Sequence, residues 1–100
     1  MFYEIEDMPK EDTLNNSKVI SIRLRWFGML AEHRGKRAEE LTISQGATGM
    51  ELLDALSQEM PVINDYRPYI RLAVNQEYTD ENTPLSENDE VALITPVSGG

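Results

Sequence analysis

The chain closes on TPVSGG, so Gly99 and Gly100 place a carboxylate at the end of a segment that lacks Cβ atoms. A carboxylate is a poor electrophile, because its charge is delocalised and it has no leaving group. It becomes reactive as an acyl phosphate, an acyl adenylate or a thioester. Two glycines suit that use: they pass through a narrow channel, allow close backbone approach by a partner and leave the acyl carbon uncrowded. A glycine pair at a terminus is also a common disordered remnant. The remaining residues decide between the two.

Other chemistry is sparse. The chain has no cysteine, which removes disulfides, thiolate metal sites and cysteine nucleophiles together. His33 is the only histidine, so no histidine metal cluster or Ser-His-Asp triad can be assembled within one chain. Neither GxGxxG nor a P-loop is present, and no cofactor is expected to bind this chain. Glu39–Glu40 and Asp89–Glu90 are adjacent carboxylates. Neighbours on a strand point to opposite faces, so neither pair makes an acid/base couple, and both read as structural or solvated. The terminal carboxylate is what remains. A rigid domain with a reactive tail is a carrier: the domain is a handle, and the chemistry happens inside other proteins. Such a chain is not catalytic alone.

Composition restricts the partners. The formal net charge is −9, and every Lys and Arg lies at or before Arg71, whereas Glu77, Asp80, Glu81, Glu87, Asp89 and Glu90 follow it. An acidic domain repels phosphate backbones, which argues against nucleic acid. The acidic C-terminal half suits a basic protein surface; it would equally serve as a solvated face that maintains solubility. No run is long or apolar enough for a membrane span. The opening MFYEIEDMPKEDTLNN lacks the apolar region of a secretory signal, so the expected compartment is the cytoplasm.

The elements that must hold the tail are legible. Residues 1–17 are polar and irregular and read as a disordered N-terminal extension; an arm that binds a partner through Phe2, Tyr3 and Ile5 is the other reading. KVISIRLRWF alternates, with Ile20, Ile22, Leu24 and Trp26 on one face, and reads as a half-buried strand. GMLAEHRGK reads as a short helical turn ending near Gly35, and AEELTIS as a second strand pairing with the first. TGMELLDALSQEM is the clearest helix: Thr48 and Glu51 have capping-box spacing, Leu52, Leu53, Leu56 and Met60 form a stripe, and Pro61 stops it. YIRLAVN is a further strand, followed by a short strand and a turn in which Asn88 tolerates positive φ. EVALITPV is apolar on both faces and is expected to run centrally. One main helix on one face of a mixed sheet gives an α+β roll spanning residues 18–100.

FGMLAEHRG, LAVNQEY and PLSENDEVALITPVSGG, in this order and spacing, resemble the small subunit of molybdopterin synthase, in the MoaD-like, ubiquitin-like group of sulfur carriers. The resemblance covers about residues 19–100. It implies a β-grasp fold. It implies that an E1-like enzyme uses ATP to adenylate Gly100, and that sulfur from a cysteine persulfide elsewhere, by way of a sulfurtransferase, then gives a thiocarboxylate. The tail would enter the large synthase subunit and donate sulfur to precursor Z, within a heterotetramer of two large and two small subunits. Phe27 would lie on the partner-facing side of the sheet, Pro96 and Val97 would anchor the exit of the tail, and Ser98 and Gly99 would thread it. For Phe27 the other reading is ordinary core. For Pro96 it is strand termination.

Ala31, Asn88 and Thr95 depart from the group's usual Arg, Gly and Pro, and residues 1–17 are additional. Ala31 and the extension bear on partner contacts; none of the departures touches the reactive end. Three further readings use the same residues: a sulfur carrier for thiamine, tRNA thiolation or a tungsten cofactor; a modifier that joins Gly100 to a lysine; and a ubiquitin-like binding module that is never activated.

Overall fold

The alternation of VISIRLRW produces strand β1, Val19–Trp26, which buries Ile20, Ile22, Leu24 and Trp26. The computed structural model describes residues 18–95. The expected N-terminal extension and the tail residues Pro96, Val97, Ser98, Gly99 and Gly100 lie outside the described residues. Helix α1, Gly28–Arg34, follows β1 directly and ends on Gly35, whose φ of 82° is left-handed, the conformation a glycine cap supplies without strain. Strand β2, Ala38–Ser44, returns antiparallel to β1, from Arg25 opposite Ala38 to Val19 opposite Ser44.

Helix α2, Gly49–Glu59, begins with the expected capping box. The Glu51 N–H donates to Thr48 Oγ1 (3.2 Å) and the Thr48 N–H donates to Glu51 Oε1 (3.0 Å). Leu52, Leu53, Leu56 and Met60 are buried as the stripe requires. Pro61 ends α2 and also opens a short helix that the sequence did not reveal: α3, Val62–Tyr66, which buries Ile63 and runs into a 3₁₀ turn at Arg67–Tyr69. Strands β3, Arg71–Val74, and β4, Glu77–Thr79, form a hairpin across Asn75 and Gln76, both at positive φ as tight hairpin turns favour. Asn88, at φ 70°, precedes strand β5, Glu90–Ile94.

The strand order is β2-β1-β5-β3-β4, with β1 and β5 parallel and the other pairs antiparallel. This is the α+β, β-grasp roll expected above. β5 is central, as expected, but its two faces differ. Val91 and Leu93 are fully buried, whereas Ala92 and Ile94 are only half-buried. One hydrophobic cluster joins the inward residues of β1, β3 and β5 to α1, α2 and α3. The helices therefore cover one face of the sheet, and the other face remains outward.

Candidate functional site

The outward face is built by alternation. Arg23 and Arg25 of β1, Glu90, Ala92 and Ile94 of β5, Arg71 and Ala73 of β3 and Tyr78 of β4 fall on the side opposite the core. Phe27 stands at the edge of this face, 42% exposed, and Tyr78 is 63% exposed. A hollow of about 340 Å³ lies between them, lined by Arg25, Ala73, Gln76, Glu90, Ala92 and Ile94. Phe27 is thus not core; it is an exposed aromatic beside half-buried apolar residues on a strand whose opposite face is sealed. Apolar surface of this kind marks an interaction site more often than a solvated one.

Arg25 organises one flank. Its Nη1 donates to Glu90 Oε2 (2.6 Å), and its guanidinium carbon lies 5.7 Å from the centre of the Phe27 ring. Arg71 organises the other, 4.8 Å over the ring of Tyr78. Behind Phe27 a second hollow, about 420 Å³, is lined by Arg25, Ala31, Glu32, Lys36 and Arg37. Ala31, one of the noted departures, therefore leaves open space next to Phe27.

The corner carrying Phe27 is held from the core side. Trp26 Nε1 donates to Glu39 Oε2 (2.7 Å), and Arg34 donates to both oxygens of Glu39 through Nε (2.7 Å) and Nη2 (3.0 Å). Arg34 Nη1 also donates to Glu59 Oε1 (2.9 Å), so β1, α1, β2 and the end of α2 meet at one guanidinium. Both partners of the central pair are largely buried, with side chains 15% and 12% exposed. The Arg34 guanidinium hydrogen-bonded to Glu39 holds its carboxyl below the usual range; the Trp26 indole acts in the same direction, against the effect of burial. The same pairing raises Arg34. Glu39 and Glu40 do point to opposite faces, as the adjacent carboxylates had to. The burial of Glu39 was legible, since it shares the inward phase of Leu41 and Ile43, and a carboxylate in that phase requires donors.

The exit of the chain adjoins this corner. β5 pairs with β1 up to Trp26 opposite Leu93, and Thr95, half-buried, follows. A Cβ on Gly28 would lie 3.9 Å from Thr95 Oγ1, which places the chain's departure from the central strand beside the Phe27–Gly28 turn. Of the site residues named from the sequence, Phe27 is on this face, while Ser98, Gly99, Gly100, Pro96 and Val97 lie beyond the described residues. Among the described residues no group of three His, Cys, Asp or Glu is arranged to hold a metal ion, and no helix is long and apolar enough to cross a membrane.

A molybdopterin synthase sulfur carrier subunit of Arabidopsis thaliana is 30% identical over 97 residues, which is 97% of each chain. The crystal structure of SAMP1 from Haloferax volcanii superimposes with a TM-score of 0.67 at 30% identity, covering 80% of this chain and 99% of that one. A protein–protein complex of subunits 1 and 2 of the molybdopterin-converting factor from Helicobacter pylori contains a chain similar at 29% identity with a TM-score of 0.55, covering 81% of this chain and all of that one. The sequence pattern of the ThiS family matches residues 24–100, from the middle of β1 through the glycine tail, and the chain belongs to that family.

Proposed function

We propose that this protein is the sulfur carrier subunit of a molybdopterin synthase. The observation that carries the reading is the junction of three features: family membership through Gly100, an exposed apolar sheet face around Phe27, and a chain that leaves the central strand beside that face. Relatives that bear the sulfur carrier name, and a relative solved in complex with a second subunit, support a large-subunit partner. In this reading an E1-like enzyme supplies ATP, the Gly100 carboxylate attacks its α-phosphate, and pyrophosphate leaves. The outer sulfur of a persulfide displaces AMP from the acyl carbon, and a thiol reduces the resulting acyl disulfide and releases the thiocarboxylate. This gives its sulfur to precursor Z in the large subunit, water restoring the Gly100 carboxylate. The synthase is a heterotetramer of two large and two small subunits. The outer face seats the partner, Pro96 and Val97 anchor the exit, and Ser98 and Gly99 carry Gly100 into the active site.

Deleting Gly100 tests this reading. The carboxylate retreats by one residue, about 3.3–3.6 Å of extended chain. Reacting atoms must approach within about 3–3.5 Å, so that retreat is sufficient to stop transfer. With the activating enzyme, ATP and a sulfur source, intact mass should show the oxygen-to-sulfur exchange for the full chain and not for the shortened one. Molybdopterin formation should fail in parallel while the fold persists. Normal rates for the shortened chain would replace the carrier reading with a binding module. The likeness to SAMP1, named a small archaeal modifier protein, favours a second reading in which activated Gly100 acylates a lysine. Isopeptide conjugates in cell extracts, lost with Gly100, would select it.

A further inference from the structure

We infer that the partner surface seated on the outer face is apolar at its centre and carries carboxylates at its rim, opposite Arg37 on one side and Arg71 on the other. This rests on the docking reading above. It opposes what the charge of the whole chain suggests, because a net charge of −9 calls for a basic partner.

The two hollows share Arg25 and Phe27 as a common wall, so Phe27 is a ridge with Ala73, Ala92 and Ile94 on one side and Glu32, Lys36 and Arg37 on the other. Of the 18 acidic residues in the chain, the described ones lining these hollows are Glu32 and Glu90. Glu90 is already engaged by Arg25 at 2.6 Å, and Glu32 is exposed on α1. Glu40 also faces outward, from β2, where it sits opposite Arg23. Against these stand Arg25, Lys36 and Arg37 in the hollow walls and Arg71 over Tyr78. Lys36 reaches Glu39 only at 3.7 Å, and Glu39 is already bonded to Arg34 and Trp26. Among the described residues neither Arg37 nor Arg71 forms an ion pair. The apolar centre is therefore flanked by two arginines that have no ion pair among the described residues, on a molecule rich in carboxylates placed elsewhere. Seating a basic surface there would bring like charges together as water is excluded, whereas carboxylates would pair with both arginines.

The experiment measures association of the full chain with the large subunit at low and high salt. Arg37→Glu and Arg71→Glu should each raise Kd about ten-fold or more at low salt, mainly by slowing association, and should flatten its salt dependence. Lys18→Glu makes the same change in net charge at the far end of β1 and should leave both quantities close to wild type. All three side chains are exposed, and thermal unfolding verifies that the variants fold. Wild-type binding with Arg37→Glu and Arg71→Glu unchanged, tighter or no different from Lys18→Glu overturns the acidic-rim inference alone. A wild-type chain that does not bind the large subunit overturns the docking reading and this inference together.

Discussion

Glu39 accepts three hydrogen bonds in a largely buried setting, and that fixes how stability responds to acid at the residue scale. Its folded-state pKa is held below the ordinary value of 4.5, chiefly by Arg34. A depressed carboxylate binds its proton more weakly in the folded chain than in the unfolded one. Its stabilisation is thus complete above about pH 4.5 and is lost as pH falls through the lower folded value. Glu39→Gln should cost about 1–3 kcal/mol at neutral pH, the range for a buried polar group that loses a charged partner. Urea unfolding measured against pH checks this: the variant should lose the wild-type slope below pH 4.5 and match wild type most closely at the acid end. Equal slopes in the two proteins would move the acid sensitivity to another carboxylate. Because Trp26 is part of the same set of bonds and precedes Phe27, the variant also tests whether the proposed docking role of Phe27 depends on support from the core side.

At the scale of the element, α2 meets β3 so closely at its first residue, Gly49, that a side chain there would displace Leu72. A Cβ at Gly49 would stand 2.3 Å from Leu72 Cδ1 and 3.3 Å from the Glu81 carbonyl oxygen. Alanine gains at most about 1 kcal/mol of helix propensity over glycine. Overpacking a sealed core costs about 1–3 kcal/mol, and Leu72 is fully enclosed. Gly49→Ala should therefore destabilise the protein, which a lowered denaturant midpoint with unchanged slope would show; a raised midpoint would mean that Leu72 has room to turn. The elements themselves were largely legible. Strict alternation in β1, the Thr48–Glu51 box and the leucine stripe of α2 each report a single periodicity, and each formed as expected. The short helix after Pro61 was hidden because five residues carry too little periodicity and the proline reads as a stop. The run VALI is apolar on both faces, and its central place follows from that, but which face the core covers does not, because a covered apolar residue and an outward one look alike in sequence. Ala92 and Ile94 are on the outward face, and only the placement of the helices on the other side of the sheet reveals it. The reverse holds for the proposed reactive end: Gly99 and Gly100 are named from chemistry and resemblance alone and lie outside the described residues, and the fold contributes the central strand that precedes them in sequence.

For the molecule as a whole, two charge effects act in opposite directions and can be separated. A net charge of −9 on 100 residues sets carboxylates against one another in the compact state. Self-repulsion of this kind weakens folding, and salt screens it over a length that shortens from about 30 Å at 0.01 M to about 3 Å at 1 M. The surface ion pairs that salt also weakens, such as Arg25–Glu90 and Arg67–Asp54, contribute only about 0–1 kcal/mol each. Repulsion summed over a strongly acidic chain outweighs them, so Tm should rise by several degrees between roughly 10 mM and 500 mM NaCl at pH 7. Lowering the pH toward the isoelectric point, near 4.4, should raise Tm in the same way by reducing the net charge. That gain ends where Glu39 begins to take up its proton, because the bonds joining four elements then weaken. At low salt the most stable condition should consequently lie on the acid side of neutrality, at about pH 4.5–5, and high salt should flatten the approach to it without moving the acid limb. Calorimetric scans across pH at the two salt concentrations measure both limbs. A Tm that falls with salt at pH 7 would show that specific ion pairs, rather than general repulsion, govern the electrostatics of this fold.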